Sequence, residues 1–258
     1  MKTLYCLIFI CMFAGVFIAN TVKNGENLIV KEKKELKFPD LIKKRKDIRN
    51  RMEFKNFSDL KEYFPNSLYS IKSNTNRNLI LITAIHGGCI EKNTEKIAME
   101  LSAEKQSSVY TFIAKKCSYS ANIGQNSILF SPHLSSAYYD DPNLLKLSKN
   151  HDYIFSIHGH NLENNSIIIG ARGCDNFSNI LSELAKQEAN TIKIVNAKSS
   201  KNMKYHHLKG SSSKNHVNLG KKNGVQIEVA KNLRSVKNIS KIITILSKAI
   251  DKFIEGNK

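Results

Sequence analysis

Once the N-terminal apolar stretch is set aside, the chain has an odd number of cysteines: Cys89, Cys117 and Cys174. Three thiols cannot all pair within one chain, which excludes a disulfide-built scaffold. One bridge with one free thiol and three free thiols both stay open, the pair Cys117 and Cys174 included, because pairing depends on distances that a sequence does not contain. Acidic residues are scarce as well: 22 Asp and Glu face 40 Lys and Arg, a formal charge of +18. A field of that sign concentrates polyanions and favours anionic surfaces, although the lysines are scattered along a chain also rich in Asn and Ile. There is no nucleic-acid motif with interleaved aromatics and no internal repeat.

What is present starts with a core. A chain of 258 residues, 41% hydrophobic, supports one sizeable domain. Residues 1–20 place Lys2 ahead of an apolar run from Leu4 to Ala19, the layout of a signal peptide or an N-terminal membrane anchor. Phe17-Ile18-Ala19 lacks the small residue that clean cleavage wants, and nothing before Cys11 resembles a lipobox. Residues 21–52 are dense in charge and read as a linker, so the folded domain is expected over 53–258, starting near Phe54. The protein is expected to be secreted or held at the cell envelope, with membrane attachment through its N-terminus as one option, and to be a monomer.

Along that domain, "FSDLKEYF" predicts a short helix capped by Ser58 and "LYSIKS" a strand. "RNLILITAI", ending at His86, is apolar on both faces, as in a strand covered by helices. A helix from Thr94 and the strand "SVYTFIAKK" complete a βαβ unit, the mark of a parallel sheet. "DYIFSIHG", "SIIIGAR", "TIKIVNA" and "GVQIEVA" add strands, "NFSNILSELAKQEA" a helix capped at Asn176 or Ser178, and "NISKIITILSKAIDKFIE" a closing amphipathic helix. Lys198 to Lys222 is polar and reads as a long surface loop.

Ligands gather at the carboxyl ends of strands in such sheets. Three predicted strands carry polar residues there that a core strand has no use for: His86 with Glu91, His158, and Glu228. Two His and one Glu meet the needs of a catalytic zinc, which takes three protein donors at about 2.0–2.2 Å and leaves one position open. Gly87 and Gly88 permit a bend that returns Glu91 toward His86. Taken singly, each segment reads more readily as an ordinary turn, and alternation puts His158 and His160 on one face, so spacing does not choose between them. The combination says more. Glu228 sits next to last in an apolar strand, where a carboxylate is costly unless it is paired, bound to metal or functional.

At these residues the chain resembles the phage and bacterial poly-γ-glutamate hydrolases, whose pattern runs HGGGIE, SIHG, then GVQLE followed by an Arg. The matching segments are "HGGCIEKNTEKIA", "SIHG" and "GVQIEVAKNLR". "SPHLSSAYYDDP", residues 131 to 142, resembles a further family segment, and the likeness covers roughly Phe54 to Arg234. The resemblance implies an α/β, three-layer fold similar to the zinc carboxypeptidases: a mixed, mainly parallel sheet with helices on both faces. It implies one Zn2+ held by His86, Glu91 and His158, with Glu228 as general base. The substrate it points to is a polyanionic γ-glutamyl polymer, and a cell-wall peptide cut by an amidase on the same scaffold is the alternative. A non-catalytic envelope protein that binds anionic polymers is a third reading, weakened by the presence of Glu228. Arg172, just past a strand, is our candidate for oxyanion or substrate-carboxylate contact, since guanidinium suits a carboxylate. His133 is expected near the cleft and Asn218 in substrate binding. Cys89 stands where the family usually has Gly, and its thiol is expected to point away from the metal rather than serve as a fourth ligand. His206, His207 and His216 are expected to be solvated, with His216 also placed to line the site.

Overall fold

Apolar runs too hydrophobic on both sides for a solvent-facing sheet demand cover on both faces, and the computed structural model of the chain supplies it. The structure describes residues 42–44, 51–76, 79–123, 126–188 and 191–257. The expected signal or anchor lies outside the described residues. So does the expected linker, except where residues 42–44 and 51–52 fall in strands. Among the described residues no helix is long and apolar enough to cross a membrane.

In chain order the elements are β1 (Ile42–Lys44), β2 (Arg51–Phe54), α1 (Phe57–Tyr63), β3 (Tyr69–Asn74) and β4 (Ile80–Gly88). Then come α2 (Thr94–Glu104), β5 (Ser108–Ala114), β6 (Tyr119–Ile123), β7 (Asn126–Ser131), α3 (Pro142–Asn150) and β8 (Tyr153–His160). β9 (Ser166–Gly170), α4 (Cys174–Glu188), β10 (Lys193–Asn196), β11 (Gly224–Ala230) and α5 (Ile239–Glu255) complete the fold.

Seven of these strands form one sheet in the order β10-β9-β11-β8-β4-β5-β3. β11, β8, β4 and β5 run parallel at its centre, while β9 joins β11 and β3 joins β5 antiparallel. On one face Ile82, Phe155, Ile167, Ile227 and their neighbours pack under α2, α4 and α5. The buried stripe of α5, with Ile242, Leu246, Ile250 and Phe253 at helical spacing, shows why it docks there. Each such side chain contributes about 1.5–3 kcal/mol on burial. On the other face α1 and α3 pack through Phe57, Leu60 and Leu144 against Ile85, Tyr110 and Phe112. The expected mixed, mainly parallel sheet between helices is therefore what forms. A small sheet in the order β1-β2-β7-β6 was not foreseen, nor was α3.

Local details differ from the sequence reading. The α1 cap is Asn56, whose side chain accepts from Asp59 N–H, and Ser58 lies inside the helix. α4 begins at Cys174, so Asn176 and Ser178 fall in its first turns. β4 continues through His86 to Gly88. The stretch from 198 to 222 is no simple surface loop: it contains 3-10 turns at Met203–Leu208 and His216–Asn218, and buries Tyr205, Asn215, His216, Val217 and Asn218.

Candidate metal centre

The ladder between β4 and β8 holds from Ile80–Tyr153 to Thr83–Ser156. β4 then shifts register against β5 between Ala84 and Gly87, and His86 and His158 fill the space between the diverging strand ends. Both are buried. Glu91 returns over the bend at Gly88, whose φ of 72° suits glycine. The Glu91 N–H donates to His86 O at 2.8 Å.

Three donors meet. His86 Nδ1 lies 2.8 Å from Glu91 Oε1 and 3.2 Å from His158 Nδ1, and His158 Nδ1 lies 3.6 Å from Glu91 Oε2. A tetrahedral zinc with nitrogens at 2.0–2.1 Å would hold them about 3.3 Å apart, so the two imidazoles already stand at the spacing of ligands that share one ion. Their other nitrogens are occupied. His86 Nε2–H donates to the Leu134 carbonyl at 2.7 Å, and His158 Nε2 lies 2.9 Å from Ser156 Oγ. The Leu134 carbonyl, which only accepts, keeps the His86 proton on Nε2 and leaves its Nδ1 lone pair for a metal, while the Ser156 hydroxyl can serve either tautomer of His158. Gly159 N–H donates to Glu91 Oε2 at 2.8 Å and fixes the carboxylate. Donor type and spacing fit a zinc ion.

Glu228 is the register partner of His158 on the adjacent strand β11. Burial raises its carboxyl well above the usual carboxylate range and the Glu91 charge adds to this, against the Gln226 hydrogen bond and Arg234. Asn215 Nδ2 donates to Gln226 Oε1 at 3.0 Å, and Gln226 Nε2 donates to Glu228 Oε1 at 2.9 Å, which orients the acid. Burial alone would raise Glu91, but the facing His86 and His158 hold it well below its ordinary value. A desolvated carboxyl thus stands one strand away from the charged Glu91.

The structure brings His86, Glu91, His158 and Glu228 together and adds His133, whose ring packs on His86 with centroids 4.5 Å apart. His160 is resolved as a structural residue: its ring nitrogens face Ser166 O and the Leu162 N–H. Arg172 and Asn218 lie outside the cluster. Asn218 spends its amide on Gly210 O and Ser212 O, and its Oδ1 accepts from Arg172 N–H. Arg172 has an exposed side chain, and the next residue bonds to Gly224 O, four residues before Glu228 on β11. That is about 13 Å along a strand. Of the loop histidines, His216 is not solvated: it is fully buried, with Nε2 2.9 Å from Thr83 Oγ1. Cys89 is joined to Cys117, with Cα atoms 5.5 Å apart, so its sulfur is not offered to a metal, and Cys174 is free and buried.

Arg234 is the main residue that the sequence reading left without a role. Its guanidinium donates to Val229 O and Lys92 O, and its carbonyl accepts from Asn93 Nδ2, so it ties the Glu91 bend to the end of β11. The Arg that follows GVQIE was the available signal. So was the Gly of SIHG, because a Cβ on Gly159 would lie 2.4 Å from Arg234 Cζ.

Such a fold and site define a class: α/β proteins with a two-histidine, one-carboxylate centre at the strand ends of a mixed sheet. A family model for poly-gamma-glutamate hydrolase matches residues 54–253. The chain is 30% identical over 198 residues to "UPF0714 protein YndL" of Bacillus subtilis (strain 168), covering 76% of this chain and 70% of that protein. A solved structure named "YNDL-apo (Zinc-free)" aligns with a TM-score of 0.60 at 25% identity, over 79% of this chain and 98% of that one. A second, "Structure of Bacteriophage poly-gamma-glutamate hydrolase", aligns with a TM-score of 0.63 at 15% identity over 78% and 98%, which shows a shared fold. The chain belongs to the poly-gamma-glutamate hydrolase family.

Proposed function

We propose that this protein is an exported, zinc-dependent hydrolase of γ-glutamyl amide bonds in poly-γ-glutamate or a related γ-linked polymer. The observation that carries the reading is the meeting of His86 Nδ1, His158 Nδ1 and the Glu91 carboxylate, with Glu228 buried one strand away. The family and the relative named zinc-free support the choice of zinc. His86, Glu91 and His158 would hold a zinc ion, which would supply an acidified water and a polarised amide carbonyl.

The chain's own residues do the rest. Glu228, held by Gln226 on one oxygen, takes a proton from the attacking water and returns it to the leaving nitrogen. A non-catalytic polymer binder has no use for a desolvated acid in that position, and this favours the enzyme. Forty cationic side chains suit a polymer with one carboxylate per residue. Export is supported by the layout of residues 1–20 and by a disulfide at exposed Cys89, since such bonds persist in oxidising compartments.

The test is to incubate the purified chain with poly-γ-glutamate and with peptidoglycan fragments, with and without chelator, and to read products by mass. The expected result is cleavage of poly-γ-glutamate that chelator abolishes and zinc restores. Glu228→Gln should lower kcat by about 10²–10⁴ while stoichiometric zinc is retained. Chelator-insensitive cleavage would overturn the zinc chemistry, and cleavage of peptidoglycan fragments alone would overturn the polymer.

A further inference from the structure

The bend that carries Glu91 rests on the end of β5. The Cys89 N–H donates to Ala114 O at 2.9 Å. Gly88 passes so close that a Cβ there would lie 2.1 Å from the same oxygen. Three residues past Ala114 comes Cys117, and its sulfur is bonded to Cys89. Cys89 is exposed, and Ile90 beside it is half-buried against the cluster of Ile85 and Phe112, so the disulfide is the covalent anchor of the outer turn. Two residues on, Glu91 needs its carboxylate at one place: 2.8 Å from His86 Nδ1 and 2.8 Å from Gly159 N.

We propose that the Cys89–Cys117 disulfide is a positioning device for the metal centre, which makes zinc affinity depend on the oxidation state of this pair. The inference rests on the zinc reading above. Closing the bridge joins the two sulfurs and passes two protons and two electrons to a disulfide oxidant, which is reduced to two thiols. A dithiol reductant reverses this by returning two electrons and two protons to the cysteines while it closes its own disulfide. With the bridge open, the outer turn has more conformations to lose on binding zinc, and the ligand carboxylate is less often in place. Since Cys89 is exposed, a reductant can reach it.

The experiment measures zinc binding by competition with a chromophoric chelator, on the full chain. Four forms are compared: oxidised protein, protein reduced with dithiothreitol and desalted under nitrogen, the Cys89→Ala/Cys117→Ala variant, and Ile250→Val. The last lies in α5 on the opposite face of the sheet with the bridge intact, and it lowers global stability without touching the bend. The reduced protein and the double variant should bind zinc about 10-fold or more weakly, the scale of losing an outer-shell support, with Ile250→Val unchanged. In metal-free samples the amides at positions 89 and 91 should exchange faster in the double variant than in the oxidised protein, while α5 exchange follows global stability. Equal zinc affinity in the folded double variant and the oxidised protein would overturn the clamp and leave the zinc reading standing. Tighter binding after reduction, with a thiolate band when cobalt is substituted, would also overturn it, because Cys89 would then be a ligand. Failure of the oxidised protein to bind zinc at all would overturn both.

Discussion

At the scale of single residues, His216 shows how far burial can move an imidazole from its sequence surroundings. Its neighbours are Lys, Asn and Ser, yet desolvation pushes its pKa down to about 3, helped by the nearby His158 and His86. The histidine therefore stays neutral against Thr83 in the folded chain and charges only on unfolding. Between the ordinary value of 6.5 and about 3 the unfolded chain binds the extra proton, so stability is complete above pH 6.5 and falls as the pH drops through that window. At roughly 1.4 kcal/mol per unit, the cost across it is a few kcal/mol. Denaturant melts of metal-free protein at pH 7, 5 and 4 should show His216→Gln losing stability less steeply than wild type, by close to one proton in the slope. Parallel curves would mean that the buried imidazole is not what acid attacks.

At the scale of elements, strands whose two faces are both apolar were legible because one pattern, uninterrupted Ile, Leu and Val, has one meaning. β4 shows this, and so do the bend after it and the long stripe of α5. The cover on the polar face was not legible. Thr83, Ser156, His158, Gln226 and Glu228 line that face, and what covers a polar face is itself polar. The segment around Asn215–Asn218 therefore reads as solvent-exposed although Asn215 and His216 satisfy Gln226 and Thr83. Polar residues at or just past apolar strand ends drew attention to His86, Glu91, His158 and Glu228 as a group, and the family resemblance, not the spacing, chose His158 over His160. The bridge partner of Cys89 could not, since 28 residues separate the sulfurs and only the fold sets their distance.

The junction of β8 with β11 gives the prediction at this scale. Gly159 is open to Arg234 because it has no Cβ: Arg234 Cζ, Nη2 and Nε would all lie within 2.7 Å of one. Gly159→Ala must push out a guanidinium that holds Val229 O and Lys92 O. Overpacking of this kind costs about 1–3 kcal/mol, and loss of the tie to the Glu91 bend should weaken zinc binding by about 10-fold. Arg234→Lys, which is slimmer at the contact, should make Gly159→Ala less costly than it is in wild type. A double-mutant cycle in urea, with zinc titrations on the same four proteins, measures that coupling. Additive effects would show that the two residues do not act through one contact.

At the scale of the whole molecule, the net charge of +18 acts over distances no single contact reaches. If the substrate is a polyanion, this field speeds encounter without altering the bond-breaking step, so it belongs in kcat/KM and not in kcat. Salt separates the two. The screening length is about 10 Å at 0.1 M and about 3 Å at 1 M, so raising salt across that range removes long-range attraction and leaves buried contacts such as Gln226 to Glu228 in place. For long poly-γ-glutamate, kcat/KM should fall by at least about 10-fold, the lower end of electrostatic steering, while kcat at saturation holds. A short γ-linked oligomer has few carboxylates to feel the field, and its kcat/KM should fall much less. Zinc occupancy, measured at each salt concentration, must stay constant for the comparison to count. If oligomer and polymer lose kcat/KM in the same proportion, the scattered lysines do not recruit the polymer, and the charge of this chain serves something other than its substrate.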